Sequence, residues 1–524
     1  MMKKNLKRIL SLALTLALTL SLVACGGSKS SDTETSSQGS GSADTPKNTE
    51  LTVALAGEPN ALDPMCGATD RTSSAVYNNI YDTLLVADSE GNILPNLASY
   101  EQIDDLTYEF KVFEGIKWHN GDELTAHDIA FTMKKGCETA ITKYIWGSIN
   151  PDSIEIINDY TLRVSTYEPA PALLSLMTAL PASILNEKYV TEVGDGSGTA
   201  PIGTGPYKFV EWSRGNSITL ERFEDYHGET PDVSKVTFRF IPESTNRTIE
   251  LESGTCDLAY EIQVSDLSRI QDNPNLTLFS GTGNSVRYIG FNCQKAPFDN
   301  VAVRQAVASA IDIEGIVTAI KRGNGVIATN PIAPDIKYFN SDIKMRTRDV
   351  EGAKAALAAA GYPDGFTTTI WVDEQKDRVD IATILQTQLA EIGVTAEIKV
   401  SEWSSHVTAC YNGDIDIYIF SWSCACPDPS IIFNSVFNSE MLGQGGNCSR
   451  IVDERIDELL NIGNTSMDDS ERESAYKELQ QRVYDLVPWV PLWVDTIDIG
   501  ANSRIESMSV TATTAWSMKG IVLK

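Results

Sequence analysis

Thr367-Thr368-Thr369-Ile370-Trp371-Val372, the run from Val379 to Ile392, and Thr395-Ala396-Glu397-Ile398-Lys399-Val400 decide the fold class. The outer two segments are short and rich in β-branched and apolar residues, which predicts strands. The middle one is long enough for about four helical turns. Strand, helix and strand in that order make a β-α-β unit, and parallel pairing follows from it.

The same texture continues on both sides. Upstream, Val350 to Ala360 is a strong helix former closed by Gly361 at the C′ position. Before it, Asp299 or Asn300 can cap a helix whose Val303, Ala306, Val307, Ala310 and Ile311 fall on one face. Downstream, Ile415 to Phe420 predicts a buried strand. Ser470-Glu471-Arg472-Glu473 reads as a capping box opening a helix striped with Tyr476, Leu479, Val483 and Leu486. Pro488 stops that helix, and Val490 to Ile499 predicts a strand returning to the first lobe. The N-terminal half is richer in strands: Leu51 to Leu55, the alternating Thr107 to Val112, Ile154 to Ile157, Leu162 to Ser165, Ser217 to Leu220 and Val236 to Ile241. The expected architecture is α/β in more than one lobe, with no repeat array.

The N-terminus carries an address. Lys3, Lys4, Lys7 and Arg8 precede an uncharged run from Ile9 to Leu20, and Leu22-Val23-Ala24-Cys25-Gly26-Gly27 follows. A basic start, a short apolar stretch and small residues at the exit make an export signal. Its end resembles a lipobox, in which the Cys25 thiol takes a diacylglycerol and becomes the mature N-terminus. The apolar run is shorter than the ~20 residues of a spanning helix. Gly26 to Thr49 is mostly Ser, Thr, Gly, Asp, Asn and Lys with almost no apolar residue, a composition that cannot collapse onto a core. Such a tether reaches roughly 25–30 Å.

Loss of residues 1–24 leaves 500 residues, long enough for two to four domains, and moves the formal net charge from −29 to −33. That acidity argues against nucleic-acid backbones and against close adhesion to anionic lipid. Cysteines 66, 137, 256, 293, 410, 424, 426 and 448 are scattered, unlike the dense framework of a small secreted domain. Enzyme signatures are missing: there is no H-E-x-x-H, G-x-S-x-G, Walker loop or C-x-x-C. His119, His127, His227 and His406 lie far apart, and Gly203-x-Gly205 and Gly281-x-Gly283 lack the partners of a dinucleotide fingerprint. No enzymatic activity, cofactor or metal is expected.

Several segments together resemble the family 5 extracellular solute-binding proteins, which serve ABC importers of peptides and, in some branches, nickel. They are Leu62-Asp63-Pro64, Gly115 to Asp128 (through Trp118, His119, Gly121 and Asp122), Pro201 to Tyr207, and Leu251 to Asp257. They continue with Gly290-Phe291-Asn292, Pro297-Phe298, Val303-Arg304-Gln305-Ala306, Ala310-Ile311-Asp312, Gly361 to Gly365, Ile392-Gly393-Val394 and Trp422 to Pro429. The resemblance covers about residues 51 to 500. It implies a two-lobed clamp of the type II periplasmic-binding-protein kind, with an extra domain inserted in the first lobe and a ligand engulfed on hinge closure. The expected boundaries are 1–24 signal peptide, 25–50 tether, 51–83 and 201–283 first lobe, 84–200 extra domain, 284–488 second lobe and 489–524 return to the first. Trp118, Gly121 and Asp128 are expected to hold a turn and a helix cap, and Gly203 to Tyr207 a domain crossing.

The cargo is expected beside Ser421-Trp422-Ser423-Cys424-Ala425-Cys426-Pro427-Asp428-Pro429, a loop at the carboxyl end of a strand. In dipeptide and oligopeptide members an Asp three residues after this Trp grips the α-ammonium, and here that position is Ala425. Three explanations compete: Asp428 reaches the amine instead, its other role being to cap the helix after Pro429; the cargo is a blocked or modified peptide that needs no ammonium partner; or the cargo is not a peptide. Trp422 resembles the family's pocket aromatic. Cys424 and Cys426 could contribute to a soft metal site, but no third ligand is identifiable, and a disulfide between them is not expected because alternating strand-like side chains point apart. Asn284, Ser285 and Arg287 precede the lobe crossing, where Arg287 either binds a carboxylate bidentately or joins an ion pair. Trp371, Trp403 and Arg378 are further candidates from the second lobe, and Tyr144 and Trp146 from the rim of the extra domain. The expectation is a monomeric, lipid-anchored extracytoplasmic receptor that passes a peptide-like solute to an ABC permease and its ATPase. A metal chelate, opine or sugar is the alternative cargo, and a tethered hydrolase the rival class.

Overall fold

The deciding segments form the β-α-β unit. Strand Thr367–Asp373 pairs in parallel with strand Thr395–Ser401, from Thr367 opposite Thr395 to Asp373 opposite Ser401. The connecting helix is Lys376–Ala390, beginning three residues before Val379 because Gln375 supplies an extended N-cap. It buries Ile381, Ala382, Leu385 and Leu389, and each large aliphatic side chain so buried contributes about 1.5–3 kcal/mol. The computed structural model describes residues 48–65, 71–443, 446–512 and 516–524; the signal peptide, Cys25, the tether and Cys66 lie outside the described residues.

One large sheet runs through the body in the order Thr395–Ser401, Thr367–Asp373, Ile417–Ser423, Leu276–Phe291, Trp489–Asn502, Leu258–Ala259, Glu50–Leu55, Lys235–Phe240, Ser217–Arg222, Tyr207–Ser213. Its centre is a pair of unusually long antiparallel strands, Leu276–Phe291 and Trp489–Asn502. Leu276 to Thr282 pairs with Asn502 to Thr496, and Val286 to Gly290 with Val494 to Trp489. Register shifts between Thr282 and Val286, so Gly283, Asn284 and Ser285 sit in an irregularity halfway along. A bulge bends a strand and re-aims its side chains.

The two halves of this ribbon serve different cores. The lower half packs Ile497, Ile499 and Ala501 with Val53, Leu55, Tyr77, Tyr207, Phe238 and Trp516. The upper half packs Ile289, Phe291, Val490 and Trp493 with Val303, Ile370, Leu385 and Ile417. Helix Val301–Ala310 closes the second core, and of the two candidate caps it is Asn300 that accepts from Ala302 N, at 2.9 Å. A third core lies on a four-stranded sheet, Ala98–Gln102, Thr107–Val112, Thr161–Ser165 and Glu155–Asn158, against which Ile129, Met133, Trp146 and Leu173 pack. Tyr108, Phe110 and Val112 are buried there, the alternation seen in the sequence.

Two of the sequence motifs meet. His119 Nε2 donates to Gly205 O at 2.9 Å, Gly203 N donates to His119 Nδ1 at 3.2 Å, and His119 N donates to Gly203 O at 3.0 Å. Gly203 and Gly205 are needed because a Cβ on either would stand 1.9 and 2.7 Å from Ile80 O. Gly121 turns at φ +88°, and Asp128 caps the first turn of helix Ala126–Glu138 by accepting from Thr125 N at 3.0 Å. Two expectations are corrected. Helix Asp469–Leu486 is capped by Asp468, whose carboxylate accepts from Ser470 N and Glu471 N, so Ser470 lies inside the first turn; a full negative charge beats a hydroxyl at the positive helix end. Trp146 is fully buried against Gly136 rather than placed on a rim, while Tyr144 is exposed.

Candidate ligand-binding site

Strands Thr367–Asp373, Thr395–Ser401 and Ile417–Ser423 run parallel, and their carboxyl ends open beside the crossing strand, where Arg287 stands opposite Ser421. Parallel strand ends are where α/β folds bind ligands. Arg287 and Arg378 lie here, 7 % and 5 % exposed. Arg378 enters from the first turn of helix Lys376–Ala390 and pairs with Asp373 at 2.8 Å. Arg287 pairs with Asp377 at 2.9 Å. Burial holds the Arg378 guanidinium below its usual range, and the nearby Arg287 charge adds to the effect. Arg287 also faces the Trp493 ring at 5.7 Å, and Arg378 the Trp403 and Phe420 rings at 5.2 and 5.6 Å.

His406, on helix Trp403–Asn412, completes this wall. Its ring meets Phe420 edge-on at 4.9 Å, and burial pushes its pKa down to about 4. Trp403, in contrast, is 49 % exposed at the rim. Arg287 Nε and Nη1, Arg378 Nε, both His406 nitrogens and Ser401 Oγ are buried without a hydrogen-bond partner among the described residues. An unmade buried hydrogen bond costs about 1–3 kcal/mol, so so many in one place mark a site that serves something other than stability.

The loop after Phe420 is occupied differently. Trp422 is half-buried opposite Val286. Asn284, in the irregular stretch of the crossing strand, donates through Nδ2 to Cys424 O. Cys424 is buried, Cys426 enters the core of the four-stranded module, and Ala425 packs against that same core. Burial raises both thiols above their ordinary range, Cys426 to about 12. Asp428 accepts from Ser430 N at 3.0 Å, the expected cap, and pairs with Arg472 at 2.7 Å, with both side chains 4 % exposed. Its two oxygens are thus committed to protein partners. All described cysteines are unpaired, and no described group of three or more His, Cys, Asp or Glu is arranged for a metal.

Arg287 and Trp403 were singled out in the sequence, and Arg378 as a further candidate. Asp373, Asp377 and His406 were not. Asp377-Arg378 in the first turn after a strand end was the only available signal, and nothing local announced that His406 would turn inward.

The geometry is that of a two-lobed periplasmic-binding-protein clamp, with both central strands crossing between lobes. The description "Bacterial extracellular solute-binding proteins, family 5 Middle" matches residues 92–442, and the chain belongs to this family. Heme-binding protein A of Haemophilus influenzae is 31 % identical over 454 residues, covering 80 % of this chain and 82 % of that protein. The dipeptide-binding protein of Escherichia coli (strain K12) is 27 % identical over 474 residues, covering 84 % and 88 %. The ABC transporter-associated periplasmic binding protein DppA from Helicobacter pylori, in complex with the peptide STSA, superposes with a TM-score of 0.79 at 26 % identity, covering 90 % of this chain and 98 % of its own. The chain is accordingly a solute-binding protein of an extracytoplasmic family, and its relatives are binding proteins of transporters. Among the described residues no helix is long and apolar enough to cross a membrane.

Proposed function

We propose that this chain is the receptor of an ABC importer, lipidated at Cys25, which captures a peptide-like solute between its lobes and delivers it to a membrane permease and ATPase without altering it. Residues 51–83 and 201–283 and the chain returning on strand Trp489–Asn502 would form the first lobe, 84–200 the inserted module and 284–488 the second lobe; the expected boundary at 489 shifts along that strand, because Val490 and Trp493 still pack in the second lobe's core and only Ile497, Ile499 and Ala501 reach the first. The observation that carries this reading is the arginine- and tryptophan-lined wall at the carboxyl ends of the second lobe's parallel strands, next to the strands on which a clamp would hinge. Ala425, where the resemblance places an Asp for the α-ammonium, favours a second cargo, a solute without a free amine such as a metal chelate; one relative is named for haem.

Native mass spectrometry of the protein as purified, followed by incubation with mixed peptides, tests both. Unchanged peptide recovered from the complex is the expected result. Hydrolysed peptide would sink the receptor assignment, and a bound chelate, opine or sugar would replace the cargo. In the same assay Ala425→Asp should tighten binding of free-amine peptides. No gain would mean that the amine is held elsewhere or ignored.

A further inference from the structure

Seven cysteines fall among the described residues, and they divide by what their sulfurs meet. Cys137, Cys293 and Cys426 donate to backbone carbonyls, those of Trp146, Phe291 and Asp428. Cys410 and Cys448 instead meet each other, their side chains standing within hydrogen-bond reach. They come from separate segments of one core, Cys410 from the last turn of helix Trp403–Asn412 and Cys448 from the loop of residues 446–451. They are 0 % and 3 % exposed, and the buried rings of Tyr288 and Tyr418 lie beside both.

The backbone around the pair is fastened on both sides. Arg450 Nη1 donates to Tyr411 O at 3.0 Å, which joins the two segments beside the cysteines. Cys293 N donates to Ser449 O at 2.8 Å and Asn292 Nδ2 to Gly413 O at 3.0 Å, so both segments are tied to the residues just after the crossing strand. A disulfide demands two Cβ atoms held at a fixed short spacing, and segments anchored in this way keep side chains that already touch from drifting apart. His406 lies one turn before Cys410 on the same inward face, since residues i and i+4 of a helix stand above one another. Whatever fixes Cys410 therefore also fixes the part of the cleft wall that His406 and Trp403 form.

We propose that Cys410 and Cys448 are an oxidation site: outside the cytoplasm they are joined as a disulfide that staples helix Trp403–Asn412 to the loop of residues 446–451 and holds the cleft wall in place. The chain belongs to an extracellular family, and such bonds persist in that compartment. The bond forms by exchange with a disulfide-bearing donor. One cysteine attacks a donor sulfur as its thiolate, and the other then attacks the mixed disulfide and releases the donor as a dithiol. Two protons and two electrons pass from the cysteines to the donor. The Cys448 side chain and burial push the Cys410 thiol up, so attack is slow once the core has closed. The bond is made while the core is still assembling, and afterwards the same burial keeps reductants out. The staple is independent of which solute the clamp carries.

Two measurements test the staple. In the first, the full chain, exported by a host with an oxidising periplasm, is alkylated with iodoacetamide without reductant, digested and mapped by mass spectrometry. The peptides bearing Cys410 and Cys448 should be recovered joined and unlabelled, and should separate only after reduction. Alkylation of both in the unreduced protein, or a bond from either to Cys293 or Cys424, would overturn the proposal. The second measurement is hydrogen exchange. Reduction in urea and return to buffer with reductant gives the same chain without the bond. Amides of helix Trp403–Asn412 should exchange at least about tenfold faster in that form, while those of strand Glu50–Leu55 in the first core stay unchanged. Equal exchange in the helix would overturn the staple. Cys448→Ala as purified, which needs no refolding, should match the reduced protein, and slow exchange of the helix in that variant would overturn the staple as well.

Discussion

His406 is neutral at pH 7, because burial pushes its pKa from 6.5 down to about 4, with Arg378 adding to the drop and Asp373 opposing it. In the unfolded chain the proton binds first as pH falls, since the unfolded pKa lies above the folded one. The His406 contribution is therefore present above pH 6.5 and lost between pH 6.5 and about 4. Each pKa unit is worth about 1.4 kcal/mol, which sets a ceiling of a few kcal/mol. Urea unfolding of His406→Leu at pH 7 and pH 4.5 should show a smaller acid-induced loss than the unaltered protein; an identical loss would mean that His406 does not titrate on unfolding. Asp428 behaves otherwise. Asp428→Ala should cost about 3–5 kcal/mol, because it strands Arg472 in the core. The fall in urea midpoint should be the same with and without peptide, whereas a loss confined to binding would return Asp428 to the ligand. Here the sequence was half legible: Asp428 before a helix announced a cap, but Arg472 lies 44 residues further on and gave no local sign.

At the scale of elements, the junction of the His119 and Gly203 motifs carries its own prediction. Gly203→Ala would drive a Cβ to 1.9 Å from Ile80 O, whereas at Gly115 nothing lies within 4 Å and only the φ of +81° opposes a side chain. Gly203→Ala should lower stability by more than about 2 kcal/mol, and Gly115→Ala by about 1 kcal/mol. Equal urea midpoints would mean that close approach is not what Gly203 provides. Helix and strand positions were readable because hydrophobic period is local: Thr107–Val112 alternates and the helix from Val301 has its stripe. The start of helix Asp469–Leu486 was misplaced because Ser470 and Asp468 both offer an oxygen, and only the folded turn shows which of the two faces the free N–H groups. The motif from Gly115 to Asp128 could be recognised as a unit, yet its partner across the fold could not, since a hydrogen bond spanning 86 residues leaves no mark in the order of either segment.

For the whole molecule, two crossing strands join the lobes, and Gly283 to Ser285 break their register midway. Rotation about that ribbon would open the strand ends bearing Arg287 and Arg378 and close them again on cargo. Tethering by Cys25 would keep this clamp near its permease. Cys25→Ser should move the protein from the detergent fraction of a phase partition to the aqueous one and abolish labelling by radioactive palmitate, while the purified body binds as before. Retention in the detergent fraction would point to another anchor.

By itself the sequence determined the α/β alternation, the family, and the basic-apolar-Cys25 start. Each of these is written in neighbouring residues, as period, motif or composition. Tertiary structure alone decided which polar groups share an interior. Arg378 against Asp373, Arg287 against Asp377, His406 turned inward and Cys426 lodged in the four-stranded module are relations between segments, some of them distant in the chain. Charge in a sequence is simply charge. Whether it is solvated, paired or left with unused donors depends on what folding brings beside it and how much water folding removes.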